Sequence, residues 1–469
     1  MKTPQLHRFS FPAFFILLII AATGCKKTAA PTTTAITAPT VTTADVIINV
    51  TSTTAQSGGA ITADGGAGIS ANGVCYSATN KTPTTADSKT SDIVDAGAST
   101  SDFTSNLKGL TANTIYYIRA YATNSVGTAY GSVLQFTTAV NLSSILAAVT
   151  TFAGNAMAGY TDATGLNAQF NNPQGITADA NGNLFVSDSY NSYIREITPA
   201  GIVTTVAGNG TIGYQDGPAA TAEFYSPAGS AFDSQGNLYV ADYGNNVIRK
   251  IAPGGVVSTY AGSGVAGYLD GSTILHAQFN GPSGIAFDTQ GDMYIADRNN
   301  NAIRKISTTG SVSTLAGLST LPSAKYANGT GPNAAFNSPN GVAVDATGNV
   351  YVADLGNSAI RKVTPAGVAT TVAGGPSQSD LLNYPAGIAI DKQGNFFICD
   401  EGGRIFEYTT TNILYTLAGS LNSPGFTNGT GTIAQFSNPQ GIAVNANGNI
   451  YVADKNNNCI RKITVTFVP

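Results

Sequence analysis

Charged residues are scarce in this chain of 469 residues, since Asp, Glu, Lys and Arg together make up 10% of it, against about 25% in typical soluble domains. The formal net charge is −4, so the sequence offers no basic surface to neutralise a phosphate backbone, and we expect no nucleic-acid partner. The apolar fraction of 42% and the 53 glycines favour a turn-rich β protein over a disordered chain.

Cysteine and histidine are also rare, with four and two residues. Cys75, Cys399 and Cys459 lie far apart without a C-x-x-C pattern, so no disulfide framework or zinc site is predicted, and we expect buried thiols. Beyond the N-terminal segment His276 is the sole histidine, and one imidazole cannot build a three-histidine metal site. The chain has no G-x-S-x-G and no P-loop, so the sequence predicts neither a cofactor nor a metal.

The first 24 residues have the pattern of an export signal, with a weakly basic start and an apolar run over 11–22. That run is too short for a membrane-spanning helix, which needs about 20 apolar residues. It ends in Ala-Thr-Gly-Cys25, which resembles the lipobox of bacterial lipoproteins, where a peptidase cuts before the cysteine and the cysteine is acylated. The resemblance implies a signal peptide over 1–24 and a lipid on Cys25. The alternative is a plain signal peptide that is cleaved nearby.

Residues 25–43 are mostly Thr, Ala and Pro, a composition that cannot bury enough surface to fold, and we interpret them as a tether. A signal peptide, a lipidated cysteine, a tether and a folded head together resemble the cell-envelope lipoproteins of Bacteroidota-like bacteria. This resemblance implies an exported protein that its lipid anchors to the cell envelope, at the outer membrane. The side of that membrane stays open.

Residues 44–138 contain alternating apolar stretches separated by Gly- and Ser-rich turns, at the spacing of a β-sandwich. The part from Leu110 resembles the end of a fibronectin type III domain, because Leu110, Thr114 and Tyr116 have the spacing of that family's tyrosine corner. Ala112 stands where the family usually has proline. The resemblance implies a β-sandwich that serves as a spacer or binding module, with Tyr116 in a structural role.

From Val149 onward one unit recurs six times at a period of about 54 residues. Each unit has an Ala-Gly at the end of one strand, a Pro-x-Gly at the start of the next, a Gly-Asn or Gly-Asp turn, and an apolar strand that ends in Asp. The alanines of the Ala-Gly pairs are Ala153, Ala207, Ala261, Ala316, Ala373 and Ala418. Strands without a polar face are expected where small sheets pack on both sides, as blades do.

This motif set resembles NHL repeats in their bacterial form, in which AGxGxxGYxDGxxxxAxF precedes the Pro-x-Gly. The resemblance implies a six-bladed β-propeller over 145–469. The last copy ends after its third strand, so we predict that an extra strand at 148–154 completes the sixth blade. The predicted fold class is all-β, with a fibronectin type III-like β-sandwich followed by this propeller.

In five copies the Asp that ends the second strand precedes the Arg of the third strand by seven residues. These side chains can approach each other across a tight hairpin. They form either a functional ring of charges or a structural contact that ties strands together, and recurrence in nearly every copy favours the structural role. The pairs are Asp188 and Arg195, Asp242 and Arg249, Asp297 and Arg304, Asp354 and Arg361, and Asp454 and Arg461.

Long loops between copies carry an aromatic-x-Asp signature, and they emerge on one face together with Asn-rich turns. Tyr beside Asp and Asn suits recognition of a glycan or a protein partner; the alternative is that the aromatic rings pack the loops down. The candidate binding residues are Tyr160, Asp162, Tyr214, Asp216, Tyr268 and Asp270.

Copy five is the exception, because its loop over 375–384 is short and lacks the aromatic-x-Asp. A missing loop leaves a notch on a face that the other loops build up. We therefore predict that a ligand or partner docks over copy five, near Glu401 and Arg404.

These features favour a non-catalytic binding or scaffold lipoprotein that presents one face of the propeller to a protein or glycan. The rival function is a hydrolase or lyase of lactonase type, which implies a calcium ion in the channel, held by scattered Glu, Asn and Asp. The sequence shows no lone carboxylate that breaks the repeat at an axial position. An amidating lyase with histidine-bound zinc is disfavoured, because His276 stands alone.

Overall fold

The computed structural model describes residues 35–92, 100–111, 114–138, 144–317, 326–376, 381–410 and 413–468. The predicted signal peptide, Cys25 and the start of the predicted tether lie outside these ranges. The prediction of an all-β chain is confirmed, since the described helices are three-residue 3-10 turns. They are Gly165–Asn167, Ser189–Asn191, Tyr243–Asn245, Arg298–Asn300, Gly331–Asn333, Leu355–Asn357, Gly431–Ile433 and Lys455–Asn457. In the described ranges, no helix is long and apolar enough to cross a membrane.

The N-terminal part contains two β-sheets. In the first sheet a central strand pairs with three antiparallel neighbours; the strands are Thr54–Ala63 at the centre and Thr40–Thr43, Ile47–Ile48 and Ser101–Lys108. The second sheet is also antiparallel, and its strands are Ala71–Ser77, Ser88–Lys89, Ile115–Thr123, Thr128–Tyr130 and Leu134–Thr137.

Side chains from both N-terminal sheets meet in one apolar core, with Leu107 from the first sheet and Val74 and Phe136 from the second. Tyr116 lies in this core, its ring 5.8 Å from that of Phe136. The Tyr116 hydroxyl accepts a hydrogen bond from the backbone N–H of Thr111 at 3.0 Å. This bond ties the loop before the Tyr116 strand to the core, as a buried tyrosine hydroxyl requires a polar partner.

The strand Thr40–Thr43 lies within the segment that the sequence assigned to the tether. It pairs with Gly59–Ala63 and buries Val41 and Thr43, while Thr40 and Thr42 are exposed. The Thr- and Pro-rich composition hides this alternation, because only one of the two buried side chains is apolar. The folded part therefore begins by residue 40 and not at 44.

The repeats form six antiparallel sheets, numbered here in chain order, each with four main strands given from innermost to outermost. Sheet one contains Pro173–Ala178, Leu184–Asp188, Tyr193–Ile197 and Val203–Ala207. Sheet two contains Pro227–Phe232, Leu238–Asp242, Val247–Ile251 and Val256–Ala261. Sheet three contains Pro282–Phe287, Met293–Asp297, Ala302–Ile306 and Val312–Gly317.

Sheets four to six follow the same order. Sheet four contains Pro339–Val344, Val350–Asp354, Ala359–Val363 and Val368–Gly374. Sheet five contains Pro385–Ile390, Phe396–Asp400, Arg404–Tyr408 and Ile413–Gly419. Sheet six contains Pro439–Val444, Ile450–Asp454, Cys459–Val468 and Ser144–Ala153. Two-residue strands from the preceding loops flank three outermost strands; they are Gly217–Pro218, Gly329–Thr330 and Gly429–Thr430.

The outermost strand of sheet six comes from before the first repeat. Ser144–Ala153 pairs with Cys459–Val468 over nearly its whole length. The prediction that an N-terminal strand completes the last unit is therefore confirmed, although the strand begins at residue 144 and not at 148.

Each sheet packs on its neighbours through both faces. The second strand of sheet two, Leu238–Asp242, is buried along its whole length, and Tyr239 and Ile248 of this sheet share an apolar core with Ile295 of sheet three. The cores between sheets also bury Cys399 and Cys459, and Cys75 is buried in the N-terminal part. The prediction of buried thiols is thus confirmed.

The innermost strands lie side by side around a central channel, with that of sheet six beside that of sheet one. The Pro-x-Gly glycines make this close approach possible. A Cβ on Gly175 would collide with the Ala228 carbonyl of sheet two, and a Cβ on Gly441 would collide with the Gln174 carbonyl of sheet one. Any larger residue would force neighbouring innermost strands apart.

Candidate functional site

A buried ion pair recurs in five of the six sheets, and Arg249 of sheet two shows its geometry. The Arg249 side chain is fully buried, and its Nη1 donates to Asp242 Oδ2 at 2.8 Å and to the Glu223 carbonyl at 2.7 Å. Asp242 also accepts from the backbone N–H of Tyr225 and from Asn245 Nδ2, both at 2.8 Å. Buried charges persist when they are paired and hydrogen-bonded in this way. The pair therefore fixes two strands and the loop before them.

The same contact is present in sheets one, three, four and six. The Nη1–Oδ2 distances are 2.8 Å for Arg195 and Asp188, 2.7 Å for Arg304 and Asp297, 3.0 Å for Arg361 and Asp354, and 2.8 Å for Arg461 and Asp454. In sheet two, burial raises the pKa of Asp242 to about 6, against the lowering effects of Asn245, the Tyr225 N–H and Arg249. An ion pair that recurs around the ring suits a structural role, because catalysis needs only one site.

The aromatic-x-Asp loops dock onto these same arginines. In sheet two, Asp216 Oδ1 lies 2.7 Å from Arg249 Nη2, and Asp216 Oδ2 accepts from the Thr259 N–H at 2.9 Å. The Tyr214 ring centroid lies 5.2 Å from Arg249 Cζ, a distance at which a guanidinium is attracted by the ring face. The loop residues thus hold the connection against the outermost strand.

The other candidate binding residues have the same surroundings. Asp162 contacts Arg195, and Asp270 contacts Arg304. Their carboxylate side chains, like that of Asp216, remain 45%, 52% and 47% exposed respectively. Tyr160 is exposed, and Tyr268 donates to the Gly317 carbonyl at 3.3 Å. The geometry supports the loop-packing alternative, and ligand binding by these residues stays a prediction.

Sheet five departs from this pattern. Phe406 pairs with Ile398 at the register position that Arg249 occupies opposite Val240 in sheet two. The arginine of this sheet is instead Arg404, at the start of the same strand, and its Nη2 lies 2.7 Å from Asp400 Oδ2. The guanidinium is therefore displaced by two residues, and an apolar ring fills its usual place.

The N-terminal domain supplies the outer edge of sheet five. Ile47–Ile48 pairs in parallel with Ile413–Leu414. In sheet two the equivalent outer positions, Val256–Val257, pair with Gly217–Pro218 of the preceding loop. A strand from the N-terminal domain thus takes, in sheet five, the place that a loop takes in sheet two. No local sequence pattern signals this long-range pairing.

A cleft lies beside this junction, at the copy whose sequence has a short connecting loop without the aromatic-x-Asp, and we name it the loop-gap cleft. Its volume is about 810 Å³, and its walls are the first N-terminal sheet and the edges of sheets four and five. Sequence reasoning located the notch through its short loop but missed the second wall, which lies more than 250 positions away in the chain. Volumes of about 300–1,000 Å³ are typical of small-molecule sites.

Amide side chains form a row on the N-terminal wall of the loop-gap cleft. Asn49 Nδ2 donates to Gln56 Oε1 at 3.0 Å, and Gln56 Nε2 donates to Asn106 Oδ1 at 3.1 Å. Thr416 and Phe406 line the opposite wall. Thr416 occupies the same register position as Thr259 in sheet two, and the Thr259 hydroxyl donates to the loop aspartate. The Thr416 side chain has no hydrogen-bond partner among the described residues. This wall therefore presents the Thr416 hydroxyl to the cleft, whereas the Phe406 ring is buried in the apolar core behind it.

The structure separates the two residues that the sequence placed together at the notch. Arg404 lines the loop-gap cleft. Glu401 instead accepts a hydrogen bond from Gln440 Nε2 at 2.7 Å, and Gln440 lines the central channel. Glu401 is thus a carboxylate near the axis that breaks the repeat, which the sequence analysis did not recognise.

The central channel has a volume of about 90 Å³ and a polar lining that includes Gln174, Ser230, Ser283, Asn340 and Gln440. None of its lining residues is a carboxylate or a histidine, and the described residues contain no group of three or more His, Cys, Asp or Glu that could hold a metal. Calcium takes about six to eight oxygen ligands, with carboxylates prominent among them. The channel lining therefore does not fit the calcium site that a lactonase-type function implies.

Comparison with known proteins identifies the repeat. A family model described as NHL repeat matches residues 170–195, 279–306, 336–363 and 436–463, so the chain carries NHL repeats. Protein SUPPRESSOR OF QUENCHING 1, chloroplastic, of Arabidopsis thaliana is 30% identical over 319 residues, which cover 65% of this chain and 26% of that protein. Human Teneurin-4 is 31% identical over 223 residues, which cover 41% of this chain and 8% of that protein. The chain thus spans about a quarter or less of these relatives' length.

Two crystal structures are similar to this chain over nearly its whole length. A protein of unknown function from Bacteroides thetaiotaomicron has a TM-score of 0.53 at 18% identity, covering 92% of this chain and 98% of its own. An auxiliary nutrient binding protein from Bacteroides ovatus has a TM-score of 0.51 at 14% identity, covering 91% of this chain and 98% of its own. At these identities the likeness shows the fold alone, an all-β chain with a propeller-like arrangement.

Proposed function

We propose that this chain is a lipid-anchored protein of the cell envelope that binds a neutral oligosaccharide in the loop-gap cleft. In this proposal the repeats form a six-bladed β-propeller, and the two N-terminal sheets form a fibronectin type III-like sandwich. Cys25 carries the lipid, and the segment between Cys25 and the first strand is the tether. The observation that carries the proposal is the cleft itself, which lies beside the one repeat whose sequence has a short connecting loop.

The lining of the loop-gap cleft matches the chemistry of sugar hydroxyls. Asparagine and glutamine amides donate and accept hydrogen bonds at once, so the row of Asn49, Gln56 and Asn106 can bind a series of hydroxyl groups. The half-buried ring of Phe103 on the N-terminal wall can contact the apolar face of a sugar ring. A neutral ligand is favoured because most of the polar lining groups are uncharged amides and hydroxyls.

A small ligand is favoured over a protein partner because the site is concave and lies between two rigid walls. Protein partners usually cover about 800 Å² on each side of a flatter surface, whereas the cleft volume suits a few sugar units. The likeness to an auxiliary nutrient binding protein over 91% of the chain supports a binding role, since it includes both the N-terminal part and the repeats.

The test is a screen of the labelled full chain on an array of neutral oligosaccharides, followed by calorimetry with the strongest binder. The double variant Q56A/N106A should bind that oligosaccharide at least about tenfold more weakly, which corresponds to about 1.4 kcal/mol. The matched control is Q135A, because Gln135 is an exposed strand residue of the same domain outside the cleft. Equal affinity of the double variant and the parent, or no binder on the array, would contradict the proposal.

A further inference from the structure

Three charged residues break the repeat near the mouth of the central channel. The residue directly after the aspartate of the second strand has a different side chain in each sheet. These residues are Ser189, Tyr243, Arg298, Leu355, Glu401 and Lys455. Arg298, Glu401 and Lys455 are therefore single charges on sheets three, five and six, unlike the ion pairs that recur around the ring.

Hydrogen bonds place two of these charges at the channel. Arg298 Nη1 lies 3.4 Å from Asn340 Oδ1, and Glu401 Oε1 accepts from Gln440 Nε2 at 2.7 Å. Both amide residues belong to innermost strands and line the channel. The side chains of Arg298 and Glu401 thus point inward to the axis.

Arg298 and Lys455 hold equivalent positions on sheets three and six, which lie opposite each other in a ring of six. In the described part of the chain, neither cation has a carboxylate within ion-pair distance. Burial lowers the pKa of Lys455, the positive charge of Arg298 lowers it further, and Glu401 opposes both effects. Two like charges that interact across a polar mouth favour an anion between them.

We propose that the channel mouth binds the anionic group of a small ligand, a carboxylate or a sulfate, between Arg298 and Lys455. Asn340 Nδ2, one of whose N–H groups donates to the Ala386 carbonyl at 2.9 Å, has a second N–H that can donate to the anion at the same mouth. The channel below, at about 90 Å³, is too narrow for a sugar ring, so the remainder of the ligand stays above the mouth. None of these residues lines the loop-gap cleft, so this site does not depend on the function proposed for that cleft.

Glu401 sets the strength of this site. Its carboxylate adds a negative charge near Lys455 and therefore weakens the attraction for an anion. Removal of that charge should strengthen anion binding, whereas a residue with a merely structural role would not increase affinity when replaced.

The experiment is calorimetric titration of the full chain with sodium glucuronate, sodium sulfate and, as the neutral match, glucose. Glucuronate or sulfate should bind, and glucose added beforehand should not reduce their affinity. R298Q and K455Q should each weaken binding of the anion at least about tenfold. E401Q should strengthen it. The control is K462Q, since the Lys462 ammonium lies 6.0 Å from the Tyr451 ring on a third strand, away from the channel lining.

The three ligands also identify the anion. Binding of glucuronate alone assigns a carboxylate, and binding of both salts assigns a general anion site. The proposal is overturned if neither salt binds at about 10 mM, which corresponds to an interaction weaker than about 3 kcal/mol. It is equally overturned if R298Q and K455Q leave the affinity unchanged, or if these two variants weaken the binding of glucose as much as that of glucuronate.

Discussion

Phe406 occupies in sheet five the register position that Arg361 occupies in sheet four. Arg404 compensates from two residues earlier: it reaches Asp400 and places its Cζ 4.8 Å from the Phe406 ring centroid. Asp400 thus keeps a guanidinium partner, although the strand position of the repeat holds an apolar ring.

This exchange of register can be tested by moving the arginine back. F406R alone adds a second buried cation without a second carboxylate, so we expect the free energy of unfolding to fall by about 3–5 kcal/mol. The double variant R404V/F406R restores one arginine to the position used by the other sheets and should recover at least about 2 kcal/mol of that loss. Urea unfolding of the three proteins measures both effects. An F406R variant as stable as the parent would show that the site is open to water.

The two aspartates that contact Arg249 should differ strongly in their contribution to stability. D242N removes the buried charge that neutralises Arg249, and we expect a loss of about 3 kcal/mol or more. D216N should cost about 1 kcal/mol or less, because the Asp216 side chain is 47% exposed. Two other sheets already have asparagine at this loop position, and Asn328 and Asn428 accept hydrogen bonds from the corresponding arginines at 3.0 Å and 2.8 Å. Similar losses for both variants in urea unfolding would contradict this ranking.

Contact between the innermost strands of sheets six and one should depend on Gly441. G441A places a methyl group against the Gln174 carbonyl, and overpacking of this kind costs about 1–3 kcal/mol. We expect a lower midpoint of thermal unfolding and faster proteolysis of sheet six. G127A is the matched control, because a Cβ there meets nothing within 4 Å. The prediction fails if both variants unfold at the same temperature.

Lipid attachment at Cys25 predicts incorporation of labelled palmitate in a bacterial host that processes lipoproteins. C25S should lose the label and move from the membrane fraction to the soluble fraction, because the hydroxyl cannot form the thioether. C75S serves as the control, since Cys75 is a buried thiol that cannot be acylated in the folded protein, and it should keep the label. Label retained by C25S would exclude this anchor.

The repeat could be predicted from the sequence because five of the six sheets bury the same Asp–Arg pair. Asp242 and Arg249 recur at constant spacing because a buried charge tolerates few substitutions, and Gly441 recurs because the strands nearly touch. The gap in copy five was visible for the same reason, as an absence within a regular pattern. A residue that nearly every copy of a repeat needs can therefore be recognised from a single sequence.

The remaining features depend on contacts between distant segments, which no local pattern encodes. The pairing of Ile47–Ile48 with Ile413–Leu414 joins two domains through backbone hydrogen bonds that almost any side chain permits. The strand Thr40–Thr43 was hidden by its composition. Glu401 and Arg404 are close in sequence, but the turn between them directs one to the channel and the other to the cleft.

The pairing of Ser144–Ala153 with Cys459–Val468 also has a kinetic consequence. These two strands enclose all the other repeats, so sheet six cannot be completed until the last residues of the repeat region have joined the chain. Closing so long a loop carries a large entropic cost, and folding dominated by such distant contacts is slow. Sheet six therefore stays incomplete during synthesis until the strand that pairs with Ser144–Ala153 has been made.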